Sequence, residues 1–600
     1  MQKRHKNIHL NQTDLKYHQT LKKVSRFLKN NFYLLISTIA VFLFIYFGIN
    51  QWDVCYGDAD GYMRAIRVNN WHNNPLFWEQ KIYQSNYPFG EINHWTRFVD
   101  ILWLICSAPF FNQFILKDAL FLGGAFLSPI IGIIAVSMLG CGLKRQFNIF
   151  LALLGCLFFM NMQQTQFEFS FYRADHHSVL MALGLYSMSN LMCYLKKHQN
   201  RYLFRLSLSL SLMTFTSIEA ILIVPIFLLY FIYQYVFKNN SLTPGYTIIK
   251  YYTIFIVIFF ILNPPFEGYL YPDNGRLSIL YITASILSLI ALKILCNQRI
   301  HTKRLKIVSL LCSAPIIFLL LVIIFSKDIL LPPLTPEIKT IWSNRIAEMK
   351  HFYKLSIPTI IQKYAISTIA LLLNIILLLT SKRHKKLLIL NLIIGLPLYA
   401  LSLYAIRFYI YQPIYMVIPF LCFIDKLYYS SDFYKRKSKE FPSIIYSACL
   451  IIFLLDQLFS LPTIIVSTPK QNQDYMSTLC PSVKYHQGTL LTDTFLSPRF
   501  VYECGVNTVS TPYHRNKEGI IDGSKILLGT DDYELIPLLL KHQITQIVLI
   551  EDYNPEFYDL SEENKQKLYY RLIKRERIPP FLKEIPSIHS NVRHYKVSSL

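Results

Sequence analysis

The sequence predicts a polytopic α-helical membrane protein of about thirteen transmembrane helices, followed by a C-terminal extracytoplasmic α/β domain. Three observations predict it. The 600-residue chain is 53% hydrophobic and only 16% charged, and its apolar residues fall in runs of about 18–22, the length a helix needs to cross a hydrocarbon core of roughly 30 Å. Its basic residues gather in every second loop between those runs. Beyond residue 461 the composition turns polar and rich in turns.

Taken in order, residues 1–32 are basic and polar (KRHK, LKKVSRFLKNN) and read as a cytoplasmic tail. The apolar run that follows is too long for a cleavable signal peptide and has no small-residue cleavage site. Residues 33–461 form the membrane domain, with spans expected near 33–50, 115–139, 147–163, 177–195, 203–217, 219–237, 249–263, 277–296, 307–326, 357–380, 387–403, 407–425 and 442–461. Only Ser217 and Glu219 interrupt the fifth and sixth of these, so that pair is the least distinct. Lys144 and Arg145, Lys196–Arg205, Arg299–Lys306, Lys382–Lys386 and Lys426–Lys439 all fall on the side of the basic N-terminus. Positive loops stay inside. The N-terminus is therefore cytoplasmic, and an odd number of spans puts residues 462–600 outside, in the setting of a bacterial inner or plasma membrane. The net charge of +24 reflects this loop pattern rather than a nucleic-acid surface.

In residues 462–600 a strand over Gln543–Ile550 and amphipathic helices over Tyr533–His542 and Glu562–Arg575 predict a small α/β domain. Most of the eleven cysteines lie in apolar runs, where they act as small hydrophobes. Cys480 and Cys504 lie outside them, and both a disulfide and two free thiols suit an extracytoplasmic domain. No internal repeat is present, which counts against the inverted-repeat transporters.

The chemistry is concentrated in the outer loops 51–114, 164–176 and 327–356. The first carries Asp53, Asp58, Asp60, Arg64, Arg67, His94, Arg97 and Asp100. Carboxylates at the outer mouth of a span suit a hard divalent cation, although ion pairs with Arg64 and Arg67 account for them equally well. The second ends in Arg173-Ala-Asp175-His176-His177. Asp175 suits a helix N-cap, but a cap needs no pair of histidines, and ionisable groups in a row at a span end point to function. The third contains Glu348 in WSNRIAEMKH, within a loop long enough to close over a ligand. Arg407 starts the twelfth span at the same surface. An arginine there either snorkels or holds phosphate oxygens. Glu219 reads as a structural or supporting acid.

These residues resemble the motifs of the catalytic subunit of oligosaccharyltransferases, membrane glycosyltransferases of the GT-C superfamily. Asp58 and Arg64 keep the family's six-residue spacing between an early Asp and an Arg. Asp175-His176-His177 matches the Asp-His-His of archaeal members, and Asn344-Arg345-Ile346-Ala347-Glu348 is a degenerate form of a loop motif ending in Glu. The resemblance covers about residues 33–430 and implies a GT-C-like fold. One motif is absent: no tryptophan follows Trp342, so the Trp-Trp-Asp that holds the acceptor's hydroxyl residue cannot be present. Asp493, Arg499, His514 and Arg515 are the polar residues expected to bind a different acceptor.

Together these readings imply an inverting, metal-dependent glycosyltransferase that draws on a polyprenyl-phosphate or polyprenyl-pyrophosphate donor. Asp58, Asp175, His177 and Glu348 are expected to hold Mn2+ or Mg2+. Arg407 and Arg64 are expected to bind the donor phosphates, and Asp58, Asp60 and Glu348 to act in catalysis. The acceptor is a protein, a lipid or a glycan. Transfer of a single sugar to a lipid or glycan is the alternative within this class. A transporter or flippase is the alternative outside it, but that reading calls for ionisable groups near the bilayer midplane, whereas these gather at one surface.

Overall fold

The computed structural model describes residues 26–27, 29–41, 55–73, 80–296, 302–330, 336–339, 341, 346–430, 475–513, 515–551, 553 and 558–598. Most of the basic tail, Asp53, Trp342–Arg345, His514 and the last expected span at 442–461 lie outside the described residues. Seven described helices are long and apolar enough to cross a membrane: Leu116–Gln146, His176–Lys197, Ile218–Phe237, Thr243–Leu262, Lys303–Phe325, Ile357–Thr380 and Lys385–Tyr404. Shorter apolar helices cover Phe98–Phe110, Ile149–Asn161 and Ile279–Leu295. The expected boundaries agree with these to within a few residues at most ends. The indistinct pair near 203–237 does separate: the helix Asn200–Thr216 ends at Ser217, and a 3-10 turn, Ile218–Leu222, leads into the next.

Lipid tails are as apolar as leucine, so helices in a membrane are held by close packing of small residues and by interhelical hydrogen bonds. Leu116–Gln146 shows both. A side chain at Gly124 would collide with Trp103, and one at Gly142 would run into Met192 and Ser189. Ser128 donates to the Arg173 carbonyl and lies 3.0 Å from Ser178 Oγ, tying the turn before His176–Lys197 to the neighbouring helix. Further along, Asn391 donates to Asn374 at 3.2 Å and to the Tyr415 carbonyl at 3.0 Å, stitching three helices through one buried amide. By contrast, Lys303–Phe325 buries only Lys306 and Leu321.

The C-terminal residues form a five-stranded mixed sheet in the order Asn507–Thr508, Thr489–Leu491, Ile544–Ile550, Val592–Val597, Leu582–Ile585. The first three strands are parallel, with Leu490 opposite both Thr508 and Gln546; the last two join antiparallel, with Val548 opposite His594 and Glu584 opposite Tyr595. Strand side chains alternate between faces. Ile547 and Leu549 accordingly pack with Ile526, Leu535 and Leu572, while Val548 packs with Leu479, Val483 and Phe500 on the opposite face. The expected strand and the helix Asp532–Lys541 are present. The expected helix 562–575 is instead a 3-10 turn, Glu562–Asn564, and a short helix, Leu568–Lys574. Cys480 and Cys504 form a disulfide, with Cα atoms 4.9 Å apart.

This sheet sits on the loop 51–114. Thr508 N donates to the Gln84 carbonyl at 2.8 Å, Tyr87 N donates to the Thr508 carbonyl at 3.2 Å, and Ser85 and Thr511 hydroxyls lie 2.9 Å apart. Buried among them, Glu91 accepts from Ser85 at 2.6 Å and from Asn516 at 3.2 Å, and also from Thr511. Burial pushes its carboxyl up to about 7 despite these donors.

Candidate functional site

Two helix starts face each other. Asp58 precedes the helix Ala59–Asn73 and accepts from Gly61 N at 2.8 Å, a standard N-cap bond. Asp175 is the N-cap of His176–Lys197 and accepts from His176 N at 2.5 Å. At both starts the cap fixes a carboxylate at the end of a rigid element.

Arg173 joins the two. Its guanidinium lies 3.2 Å from Asp58 Oδ2, 3.0 Å from Glu168 Oε2 and 3.6 Å from Asp175 Oδ2. Asp175 also lies 2.5 Å from His176 Nδ1 and 3.1 Å from His177 Nδ1, and His177 lies 4.0 Å from Glu168. Ligand atoms of Asp175, His176 and His177 all fall within 4.8 Å of one another. Asp60, on the first turn, accepts from Tyr513 Oη at 2.9 Å, so the C-terminal segment contributes to the site's wall.

The electrostatics follow from burial and crowding. Asp60 is pushed up to about 8 by burial and then by the charges of Asp175, Asp58 and Glu348. Asp58 is raised by burial and by Asp175, against the pull of Arg173. Asp175 goes the other way. Although burial opposes it, the imidazoles of His177 and His176 and the guanidinium of Arg173 hold its carboxylate well below the usual range.

Glu348 is exposed in a 3-10 turn, Ala347–Met349, close enough for its charge to act on both Asp58 and Asp60. This turn is anchored beside Arg407: Ile406 N donates to the Lys350 carbonyl at 3.3 Å, and Arg407 Nη1 lies 3.5 Å from Met349 Sδ. Arg407 pairs with Glu219 at 2.6 Å, so the acid between the fifth and sixth expected spans meets the arginine at the start of the twelfth.

The other expected residues lie elsewhere. Arg64 was expected on a phosphate; it is 1% exposed, paired with Asp100 at 3.4 Å and stacked on Trp95 at 4.1 Å, behind the site. The helix turn that carries it faces the interior, so its charge meets a buried carboxylate first. Asp493 caps its own turn by accepting from Phe495 N at 2.7 Å. Arg499 pairs with Glu503 at 2.8 Å above Tyr62, and Arg515 pairs with Asp273. The Arg515–Asp273 pair, and Tyr62 Oη donating to Glu503 at 2.9 Å, pin the C-terminal segment to the rest of the chain. Glu168, Tyr513 and the ligand capacity of His176 were not anticipated. Glu168 did carry a signal, as an acid in an aromatic stretch five residues before Arg173.

A helical membrane body bearing a carboxylate–imidazole centre, with a mixed sheet packed over it, defines an oligosaccharyltransferase-like fold. The archaeal oligosaccharyltransferase AglB from Archaeoglobus fulgidus, solved with an inhibitory peptide and a dolichol-phosphate, superposes with a TM-score of 0.71 at 13% identity, covering 93% of this chain and 80% of that one. The Archaeoglobus fulgidus oligosaccharyltransferase tethered to an acceptor peptide containing the NVT sequon gives 0.68 at 14% identity, covering 96% and 75%. Its complex with zinc and sulfate gives 0.60 at 13% identity, covering 86% and 68%. At these identities the likeness is one of fold. No family model and no curated protein matches the sequence.

Proposed function

We propose that this chain is a membrane glycosyltransferase of the oligosaccharyltransferase type, moving a glycan from a polyprenyl-phosphate or polyprenyl-pyrophosphate donor to an acceptor on the extracytoplasmic side. The observation that carries the reading is the meeting of Asp58, Arg173, Asp175 and His177 from two distant segments, with Glu348 and Arg407 on two neighbouring 3-10 turns. The neighbours' dolichol-phosphate, acceptor peptide and zinc agree with a lipid-linked donor and a divalent ion. Thirteen spans, an inside N-terminus and an outside sheet domain complete the topology.

The residues fit a divalent ion. Oxygen and imidazole donors lie side by side, and the carboxyls of Asp58 and Asp60 are raised by burial and then by the charges of Asp175 and Glu348, a repulsion that a cation relieves. Asp58, Asp175, His177 and Glu348 would hold it, and the mixed donor set favours Mn2+ over Mg2+. When bound, such an ion supplies Lewis-acid stabilisation of the leaving phosphate. Arg407 adds fixed positive charge to the same oxygens. Asp58 and Asp60 orient the acceptor's nucleophile and take its proton, and attack from the face opposite the phosphate inverts the sugar carbon. Glu348, on its exposed turn, completes the site as the loop closes over the donor.

The test is transfer from a lipid-linked donor in reconstituted vesicles. Asp58→Ala, Asp175→Ala and Glu348→Ala should each lower the rate roughly a thousandfold, and chelation should abolish it reversibly. Near-normal turnover in any two variants rejects the shared ion. Transfer of a single sugar to a lipid or glycan is the second reading, favoured by the missing Trp-Trp-Asp.

A further inference from the structure

A cavity of about 260 Å³ opens beside the helix Ala59–Asn73, on the turns beyond Asp58 and Asp60. Its wall carries three cations, Arg67, Lys81 and Arg97, the amide of Gln80 and the rings of Trp71 and Tyr83; no carboxylate lines it among the described residues. Behind the wall, the single carboxylate of Asp100 takes Arg67 at 2.8 Å, Arg97 at 3.1 Å and Arg64 at 3.4 Å. Arg276, 2% exposed, backs the cavity through Gln80, to which it donates, and bonds the Asn263 carbonyl at 2.9 Å. Both of those acceptors are neutral, and Arg276 Nε has no hydrogen-bond partner among the described residues.

The wall is therefore electropositive, with Arg67 and Arg97 buried within it and Tyr83 at its open side. Burial, and then the charges of Arg97, Arg64 and Arg276, pull the Arg67 guanidinium down to about 9 even with Asp100 attached. An incoming anion would relieve that repulsion and would meet donors already held in place, which is where charge-assisted hydrogen bonds are strongest. Arginine's planar fork suits a carboxylate or a phosphate. The aromatic walls suit a flat apolar face: Arg97 lies 5.2 Å from the Trp71 ring and Lys81 lies 5.3 Å from the Tyr83 ring.

We propose that this cavity binds the acidic group of a sugar, a carboxylate or phosphate ester on the glycan being transferred, an inference that rests on the glycosyl-transfer reading above. Arg67 is seven residues beyond Asp60 on one helix, about 10 Å along its axis. A group held there is too far away to be the phosphate at the reacting carbon. It belongs to a sugar further along the glycan, whose ring lies against Trp71 and Tyr83. The cavity thus selects donors by charge.

The test uses the full-length protein in detergent and reads thermal stabilisation by glucuronate, glucose 6-phosphate, inorganic phosphate and glucose at matched ionic strength. Glucuronate, glucose 6-phosphate or both should stabilise it, and glucose should not. Which of the two acts tells carboxylate from phosphate ester. Lys81→Glu should weaken that binding at least about tenfold, Trp71→Ala should also weaken it, and Arg407→Ala should leave it intact. Equal stabilisation by glucose, a response to inorganic phosphate alone, or binding unchanged in Lys81→Glu would each overturn the proposal. None of these results touches the transfer assay, so the cavity can fail while the glycosyltransferase reading stands.

Discussion

Replacing Asp175 separates its two roles. Its carboxylate caps His176–Lys197 through a 2.5 Å bond from His176 N, and it holds His177 at 3.1 Å and Arg173 at 3.6 Å while 2% exposed. Asp175→Ala removes both roles. The cap is worth about 1 kcal/mol, whereas orphaning buried charged partners costs roughly 3–5 kcal/mol. Asp175→Asn keeps a side-chain oxygen that caps as well as aspartate does, but it loses the charge that an ion and the imidazoles require. The Asn variant should therefore melt above the Ala variant by the equivalent of about 1 kcal/mol. It should still lose transfer about a thousandfold, equal to some 4 kcal/mol of transition-state stabilisation. Thermal unfolding in detergent and transfer from a lipid-linked donor in vesicles read the two quantities. An Asn variant within tenfold of wild-type turnover would refute the assignment of Asp175 to the reacting site, and an Ala variant as stable as wild type would refute its structural role.

Glu348→Gln alters an exposed side chain, so transfer should drop at least about a hundredfold while melting shifts by no more than about 0.5 kcal/mol; a large stability loss would contradict that placement. Glu91 gives stability a pH dependence. Its carboxyl is raised from 4.5 to about 7 in the fold, so the folded state binds a proton that the unfolded chain releases. That contribution is full below about pH 4.5 and is lost as pH rises through about 7, a fall of roughly 3 kcal/mol. Melting across this window should be flatter for Glu91→Gln, and parallel curves would dismiss the effect. Removing the Cys480–Cys504 disulfide, which spans a sequence separation of 24, should cost about 3–4 kcal/mol on the chain-entropy account, read as a lowered midpoint in the double Ala variant. An unchanged midpoint would show that the bridge adds no constraint.

The helices of the body were legible because a bilayer imposes a length on every apolar run, and that rule acts locally. The candidate acids Asp58, Asp175 and Glu348, and the base Arg407, stand out in the sequence as ionisable residues close to apolar runs, so the cost of putting them there is visible in one dimension. The partners of Arg64 and of the C-terminal polar residues were not visible in this way. Whether an arginine faces a ligand or a buried carboxylate depends on a partner such as Asp100, 36 residues away, or Asp273, 242 residues from Arg515, and no local pattern encodes that choice. The sheet was only partly legible. Its longest strand, Ile544–Ile550, shows as a short apolar run rich in β-branched residues, but Asn507–Thr508 and Thr489–Leu491 are too short to show a pattern.

The bond from Tyr513 to Asp60 crosses 453 positions of the chain, and the cradle around Glu91 closes only with Thr511 and Asn516. The wall that the tail of the polypeptide lends to its head therefore does not exist while the ribosome is still partway through. A growing chain already threaded into the bilayer has its acids in place but no finished chamber around them.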